Sequence, residues 1–133
     1  MILVDTNVLL DVVEDDPVWS DWSLQQLEAA RLRGTLAINA VIYAELSMAY
    51  QRIEELDRAV SIAGLEEVPI PREALFLAGK VFLRYRRRKG MKRGVLPDFL
   101  IGAHAAVANL PLLTRDQRRY RTYFPTIELL GTH

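Results

Sequence analysis

The chain has 133 residues, 50% hydrophobic and 26% charged, enough for a globular domain that buries about two-thirds of its unfolded surface. The absence of Cys excludes disulfides, Cys-ligated zinc and thiol catalysis, and 2 His leave little room for a His-rich metal site. Its 17 basic and 17 acidic residues cancel, which on its face argues against a nucleic-acid partner.

The elements follow in chain order. Ile2-Leu3-Val4 reads as a buried strand that delivers Asp5 at its carboxyl end. Thr6-Asn7 starts a short helix through Val13, and Glu14-Asp15-Asp16-Pro17 is a turn. A helix over 18–33 stops at Gly34, and Leu36-Ala37-Ile38 is a second strand. Asn39 caps a helix over about 40–50. A further helix over about 52–63 carries Ile53, Leu56, Val60 and Ala63 at the spacing of one buried face, and Gly64 ends it. Glu66-Glu67-Val68 is a third strand. Residues 72–89 form a long helix with Ala74, Leu75, Ala78, Val81, Phe82 and Tyr85 on one stripe and a basic last turn. Gly90–Gly94 is a mobile basic loop, and the helix over 97–109 is apolar almost all round, hence central. Leu112-Leu113 is a strand, 115–121 a short helix and Ile127–Leu130 a last strand. Strands alternating with helices mean an α/β fold with a mainly parallel sheet, a single domain over 1–133.

Zero net charge hides an asymmetry. Residues 1–67 hold 13 acids and 4 bases, net −9, whereas 68–133 hold 4 acids and 13 bases, net +9. Seven bases fall within 84–93. If the fold keeps these halves apart, the surface has opposed electrostatic faces. No apolar run reaches membrane-spanning length and the N-terminus carries no cleavage signal, so a cytoplasmic protein without a membrane partner is expected.

Four acids stand at the edges of apolar elements: Asp5 after Ile-Leu-Val, Glu45 within Val41–Leu46, Asp98 at the start of the most apolar helix, and Asp116 just after Leu112-Leu113-Thr114. Asp5 and Asp116 also sit where an Asp caps the next helix, and Asp98 where an acid suits the helix dipole. Parallel strands put ligands at their carboxyl edge, where Asp5 and Asp116 fall. Two carboxylates about 4 Å apart repel by roughly 4 kcal/mol at an effective dielectric near 20, so a cluster raises its pKa values or holds a cation. Oxygen ligands alone select Mg²⁺ or Mn²⁺ over zinc. Beside a basic segment, such a site suits metal-dependent phosphodiester hydrolysis.

The sequence also resembles the PIN-domain family, most closely its VapC-type toxin ribonucleases. The resemblance rests on four blocks in order, running from Ile2 to Leu10, Asn39 to Leu46, Pro97 to Ala105 and Leu112 to Asp116. It implies a three-layer α/β/α fold around a mainly parallel central sheet. It implies that Asp5, Glu45, Asp98 and Asp116 bind Mg²⁺ or Mn²⁺, with Thr114 and Asn7 orienting an acid or water. It further implies an RNA substrate, a homodimer and a cognate antitoxin whose Arg neutralises the acids. Where many relatives have another acid after the position of Asp116, this chain has Gln117, Arg118 and Arg119.

Arg86, Arg87, Arg88, Lys89, Lys92, Arg93 and Arg115 are the candidate RNA contacts. The helices at 40–50 and 52–63, with an apolar groove between them, are the expected antitoxin surface. His104 reads as a packed helix histidine, Trp19 and Trp22 as core or dimer surface, and Asp11, Glu14, Asp15 and Asp16 as surface acids. Two alternatives stand beside the ribonuclease. One is a haloacid-dehalogenase-like phosphatase using Asp5, although Asn7 replaces its second acid. The other is a non-catalytic PIN-like binding module.

Overall fold

The computed structural model describes residues 1–89 and 95–131, apart from the side chain of Lys89. The expected basic loop, with Lys92 and Arg93, and the Lys89 side chain lie outside the described residues. Five strands, β1 (Ile2–Val4), β2 (Leu36–Ile38), β3 (Glu66–Glu67), β4 (Leu112–Leu113) and β5 (Leu129–Leu130), form one sheet in the order β3-β2-β1-β4-β5. Every pairing is parallel. The flanking helices are α1 (Thr6–Val13), α2 (Ser20–Arg33), α3 (Ala40–Leu46), α4 (Ile53–Ile62), α5 (Arg72–Lys89), α6 (Leu96–Ala108) and α7 (Gln117–Tyr123). The α/β class and the parallel sheet are as expected.

β1, β2 and β4 are buried along their length, as strands covered on both faces must be. The chain winds outward from β1 through β2 to β3, then returns to the other side of β1 for β4 and β5. Winding therefore reverses between β1 and β4, where an open parallel sheet forms its crevice at the carboxyl edge. Pairing of Leu3 with Leu112 and Val4 with Leu113 brings the next residues, Asp5 and Thr114, to that crevice together.

Several boundaries differ from the periodicity. α2 starts at Ser20 because the Asp16 carboxylate takes the Val18 and Trp19 backbone N–H groups, both at 2.9 Å. The expected helix over 40–50 ends at Leu46 and tightens into a 3₁₀ turn over Ser47–Ala49, where the Ser47 hydroxyl donates to the Ala44 carbonyl at 2.6 Å. α7 begins two residues late because the Asn7 and Thr114 side chains accept the Arg115 and Asp116 backbone N–H groups. Of the α4 stripe only Leu56 is buried; Ile53 is 64% exposed. Val60 and Ala63 instead line an open apolar groove of about 280 Å³ that α4 shares with α1 and α2. Leu75, expected on the buried stripe of α5, is exposed.

Phe99 of α6 ties three helices together. Its ring lies 5.6 Å from Phe82 and 5.2 Å from Tyr85 of α5, and 5.3 Å from Tyr123 at the end of α7. Gly102 permits this closeness, since a Cβ there would fall 2.6 Å from the Phe124 ring and 3.1 Å from the Tyr120 ring. Alanine would otherwise favour a helix interior by about 1 kcal/mol over glycine. Gly102→Ala is nonetheless expected to destabilise the protein by about 1–3 kcal/mol, through displacement of buried rings. Urea denaturation of the two proteins measures the difference.

Candidate active site

Asp5 leaves β1 with only 3% of its surface exposed. Its backbone N–H bonds the Leu113 carbonyl at 2.9 Å, so sheet pairing fixes the carboxylate in the crevice. It occupies the cap position of α1, but its side chain does not cap that helix. Three donors converge instead on its Oδ2: the Thr114 hydroxyl at 2.8 Å, the Tyr120 phenol at 3.0 Å and the Asn7 amide at 3.3 Å. They come from the end of β4, from α7 and from α1. Asn7 Nδ2 also reaches Thr114 Oγ1 at 3.4 Å, while its Oδ1 accepts the Arg115 N–H at 3.2 Å.

The other three predicted acids come from α3, α6 and the start of α7. Asp98 is half-buried in the first turn of α6 and ion-paired with Arg119 of α7. Glu45 of α3 is half-buried and accepts the Thr6 hydroxyl at 2.6 Å. Asp116, at the start of α7, is exposed. Burial raises the Asp98 carboxyl, Arg119 opposes the rise, and the charges of Glu45 and Asp116 add to it. Asp98 in turn raises Asp5. Asp98 thus shares a field with each of the other three. Among the described residues, however, no three His, Asp or Glu side chains converge as they would around a metal ion. Thr6 and Arg119 engage Glu45 and Asp98, and Asp116 faces solvent. Chemically the residues fit a hard divalent cation: all donors are carboxylate oxygens, and their mutual repulsion is what such a charge relieves.

The sequence did not disclose several site residues. Tyr120 is fully buried, and both burial and the Asp5 charge raise its phenol well above the ordinary value. Its signal is the aromatic pattern Tyr120, Tyr123, Phe124 in an otherwise basic segment, the mark of a buried helix face. Asp11, expected at the surface, is 4% exposed. It accepts both Arg115 Nε at 2.9 Å and Arg115 Nη2 at 2.8 Å, and the Ser23 hydroxyl at 2.7 Å. Arg115 also lies 5.0 Å over the Trp19 ring, so this candidate RNA contact is committed within the fold. His104 is buried as expected, with Nδ1 3.0 Å from Asn39 Nδ2, while Asn39 Oδ1 caps α3 through the Ile42 N–H.

Arg86, Arg87 and Arg88 are exposed on the last turn of α5. Arg88 reaches a cleft of about 390 Å³ beside Asp116, together with Arg118, Arg119, Thr122 and Tyr123 of α7 and Tyr85 of α5.

Burial pushes Asp5 up to about 7 from 3.8, against the hydrogen bond from Thr114. Between those values the native carboxyl keeps a proton that the unfolded chain has lost. Its contribution to stability is therefore complete below pH 3.8 and lost as pH rises through about 7. The whole effect is at most about 4 kcal/mol. In EDTA, Asp5→Asn is expected to lose this slope and to exceed the wild type in stability at pH 8. Urea midpoints at a series of pH values measure it.

Comparison with known proteins gives the same architecture. The sequence matches the PIN domain family over residues 2–125. Among solved structures, VapBC2 from Rickettsia felis, bound to a DNA fragment from its promoter, aligns at 24% identity and TM-score 0.69, covering 97% of each chain. A toxin-antitoxin complex from Klebsiella pneumoniae aligns at 22% identity and TM-score 0.66, covering 96% of this chain and 95% of that one. VapBC-1 from nontypeable Haemophilus influenzae aligns at 20% and 0.67, covering 97% and 96%. Comparison with curated proteins finds no match. With the parallel sheet, the Asp5 crevice and a family match over nearly its whole length, the chain belongs to the PIN-domain family.

Proposed function

We propose that this protein is a Mg²⁺- or Mn²⁺-dependent endoribonuclease and the toxin of a bacterial toxin–antitoxin pair. The observation that carries the reading is the buried Asp5 carboxylate at the sheet's crevice, with Asp98 acting on it and Glu45 and Asp116 acting on Asp98. Asp5, Glu45, Asp98 and Asp116 would hold the metal. When bound, it would supply an activated water and neutralise charge on the scissile phosphate. Thr114, Tyr120 and Asn7 fix the orientation of Asp5. The exposed arginines of α5 attract the RNA backbone. Family membership sets aside the phosphatase alternative, and Asn7, bonded to Asp5, supplies no second acid.

The antitoxin surface we assign is the groove among α1, α2 and α4. Leu9, Val12, Leu24, Leu27, Leu56 and Val60 line it. Leu46 and Tyr50 line it too, so it overlaps the expected surface between the helices at 40–50 and 52–63, where a second hollow of about 270 Å³ also lies around Tyr43, Tyr50 and Ile53. An amphipathic antitoxin helix fits such a groove. The related solved complexes support a protein partner, and the homodimer belongs to the same reading.

Purified protein is expected to cleave RNA with Mg²⁺ or Mn²⁺, to stop in EDTA, and to leave 5′-phosphate and 3′-hydroxyl ends. Asp5→Asn should lower the rate by about 100-fold or more. Metal-independent cleavage, or 2′,3′-cyclic ends, overturns the mechanism.

A further inference from the structure

We propose that the cleft between α5 and α7 is a subsite for a backbone phosphate of RNA, and that Arg119 serves this subsite and Asp98 in alternation. The inference rests on the reading of Asp98 as a metal ligand. Three arginines, Arg88, Arg118 and Arg119, line one cleft together with a single acid, Asp116. That excess of positive charge calls for an anion, and a phosphate is the anion that planar guanidinium groups grip in pairs. Tyr123 also lines the cleft, and its buried hydroxyl has no hydrogen-bond partner among the described residues. A buried hydroxyl without a partner costs free energy, which a bound acceptor recovers. Tyr85 adds an aromatic wall.

Arg119 joins this cleft to the acids. Its guanidinium pairs with Asp98 and stands 6.0 Å over the Tyr85 ring. A divalent cation and a guanidinium repel each other at one carboxylate. Metal at Asp98 therefore releases Arg119, whose side chain already borders the cleft. Phosphate in the cleft draws the same guanidinium off Asp98 and opens that carboxylate to metal. The two ligands thereby assist each other, as linkage requires. Without either, Arg119 neutralises Asp98 from within the chain.

The test compares wild type with Arg119→Met, Arg119→Lys and Arg118→Met. Thermal unfolding in EDTA first establishes that each variant folds. Mn²⁺ affinity is measured by calorimetry and by the electron paramagnetic resonance of free Mn²⁺. Backbone affinity is measured by anisotropy of a labelled octathymidylate in saturating Mn²⁺, a probe that carries phosphates without the ribose 2′-hydroxyl. Arg119→Met is expected to bind Mn²⁺ about fivefold more tightly, the scale of a partly exposed ion pair. It should bind the octathymidylate several-fold more weakly. Arg118→Met should weaken the octathymidylate and leave Mn²⁺ unchanged. Arg119→Lys, a poorer carboxylate partner, should shift Mn²⁺ in the same direction by less, and it decides the matter if the Met variant does not fold. Equal Mn²⁺ affinity in wild type and the Arg119 variants overturns the alternation. Unchanged octathymidylate affinity in both Met variants overturns the subsite. Absence of Mn²⁺ binding in every protein overturns the metal reading of Asp98 itself, and the alternation with it.

Discussion

Burial of the Asp5 carboxylate constrains the rest of the structure. A short strand covered on both faces offers no water at its end, so the carboxylate must find donors or keep its proton. The donors come from segments distant in sequence: Thr114, Tyr120 and Asn7 all reach Oδ2. Each demands a backbone arrangement. Thr114 needs β4 beside β1, Tyr120 needs α7 folded back over the sheet edge, and Asn7 needs the first turn of α1. The close approach at Gly102 and the rings around Phe99 hold α7 there.

A second buried carboxylate supports the first. Asp11 lies on α1 and gathers Arg115 from the segment after β4 and Ser23 from α2. Arg115 is partly exposed, so its loss costs about 1–3 kcal/mol, the scale for a buried acceptor left short of a donor. The pair pins Arg115, whose backbone N–H is bonded to Asn7, which is bonded to Asp5. The backbone of Asp116 follows directly, held through its N–H by Thr114. One face of α1, with Asn7 and Asp11 a turn apart, thus both orients Asp5 and holds the loop after β4 through Arg115.

The sheet, its parallel sense and nearly all the helices were legible because apolar runs and stop residues are local signals. The four acids could be singled out because a carboxylate at the edge of an apolar run is anomalous, and the structure sets Asp98 in the field of the other three. Asp11 was not legible. It sits in an acid-rich stretch with Glu14, Asp15 and Asp16, and only the fold separates it from them by supplying Arg115 and Ser23. Tyr120 and Arg119 belong to a segment whose basic composition suggests solvent, yet one buries its phenol and the other pairs with Asp98. Helix ends were misjudged where side chains take backbone groups, as Asn7 and Thr114 do at α7. The bond from Arg115 to Asn7 spans 108 residues and no window of sequence contains it, whereas that from Asp116 to Thr114 spans 2.

The opposed charges of the two chain halves take on a different meaning in the fold. Strand order sets β3-β2-β1 of the acidic half beside β4-β5 of the basic half, so the halves abut along the β1–β4 seam at the sheet's centre. Asp11 and Arg115, and Arg33 and Glu128, pair across the division. Asp98 meets Arg119 within the basic half itself, beside a cleft already lined by Arg88 and Arg118. Zero net charge is therefore compatible with an uneven local distribution: carboxyl groups gathered around Asp98, guanidinium groups in the adjoining cleft. A polyanion can approach the second and place a phosphate near the first, which a uniform charge distribution would not allow.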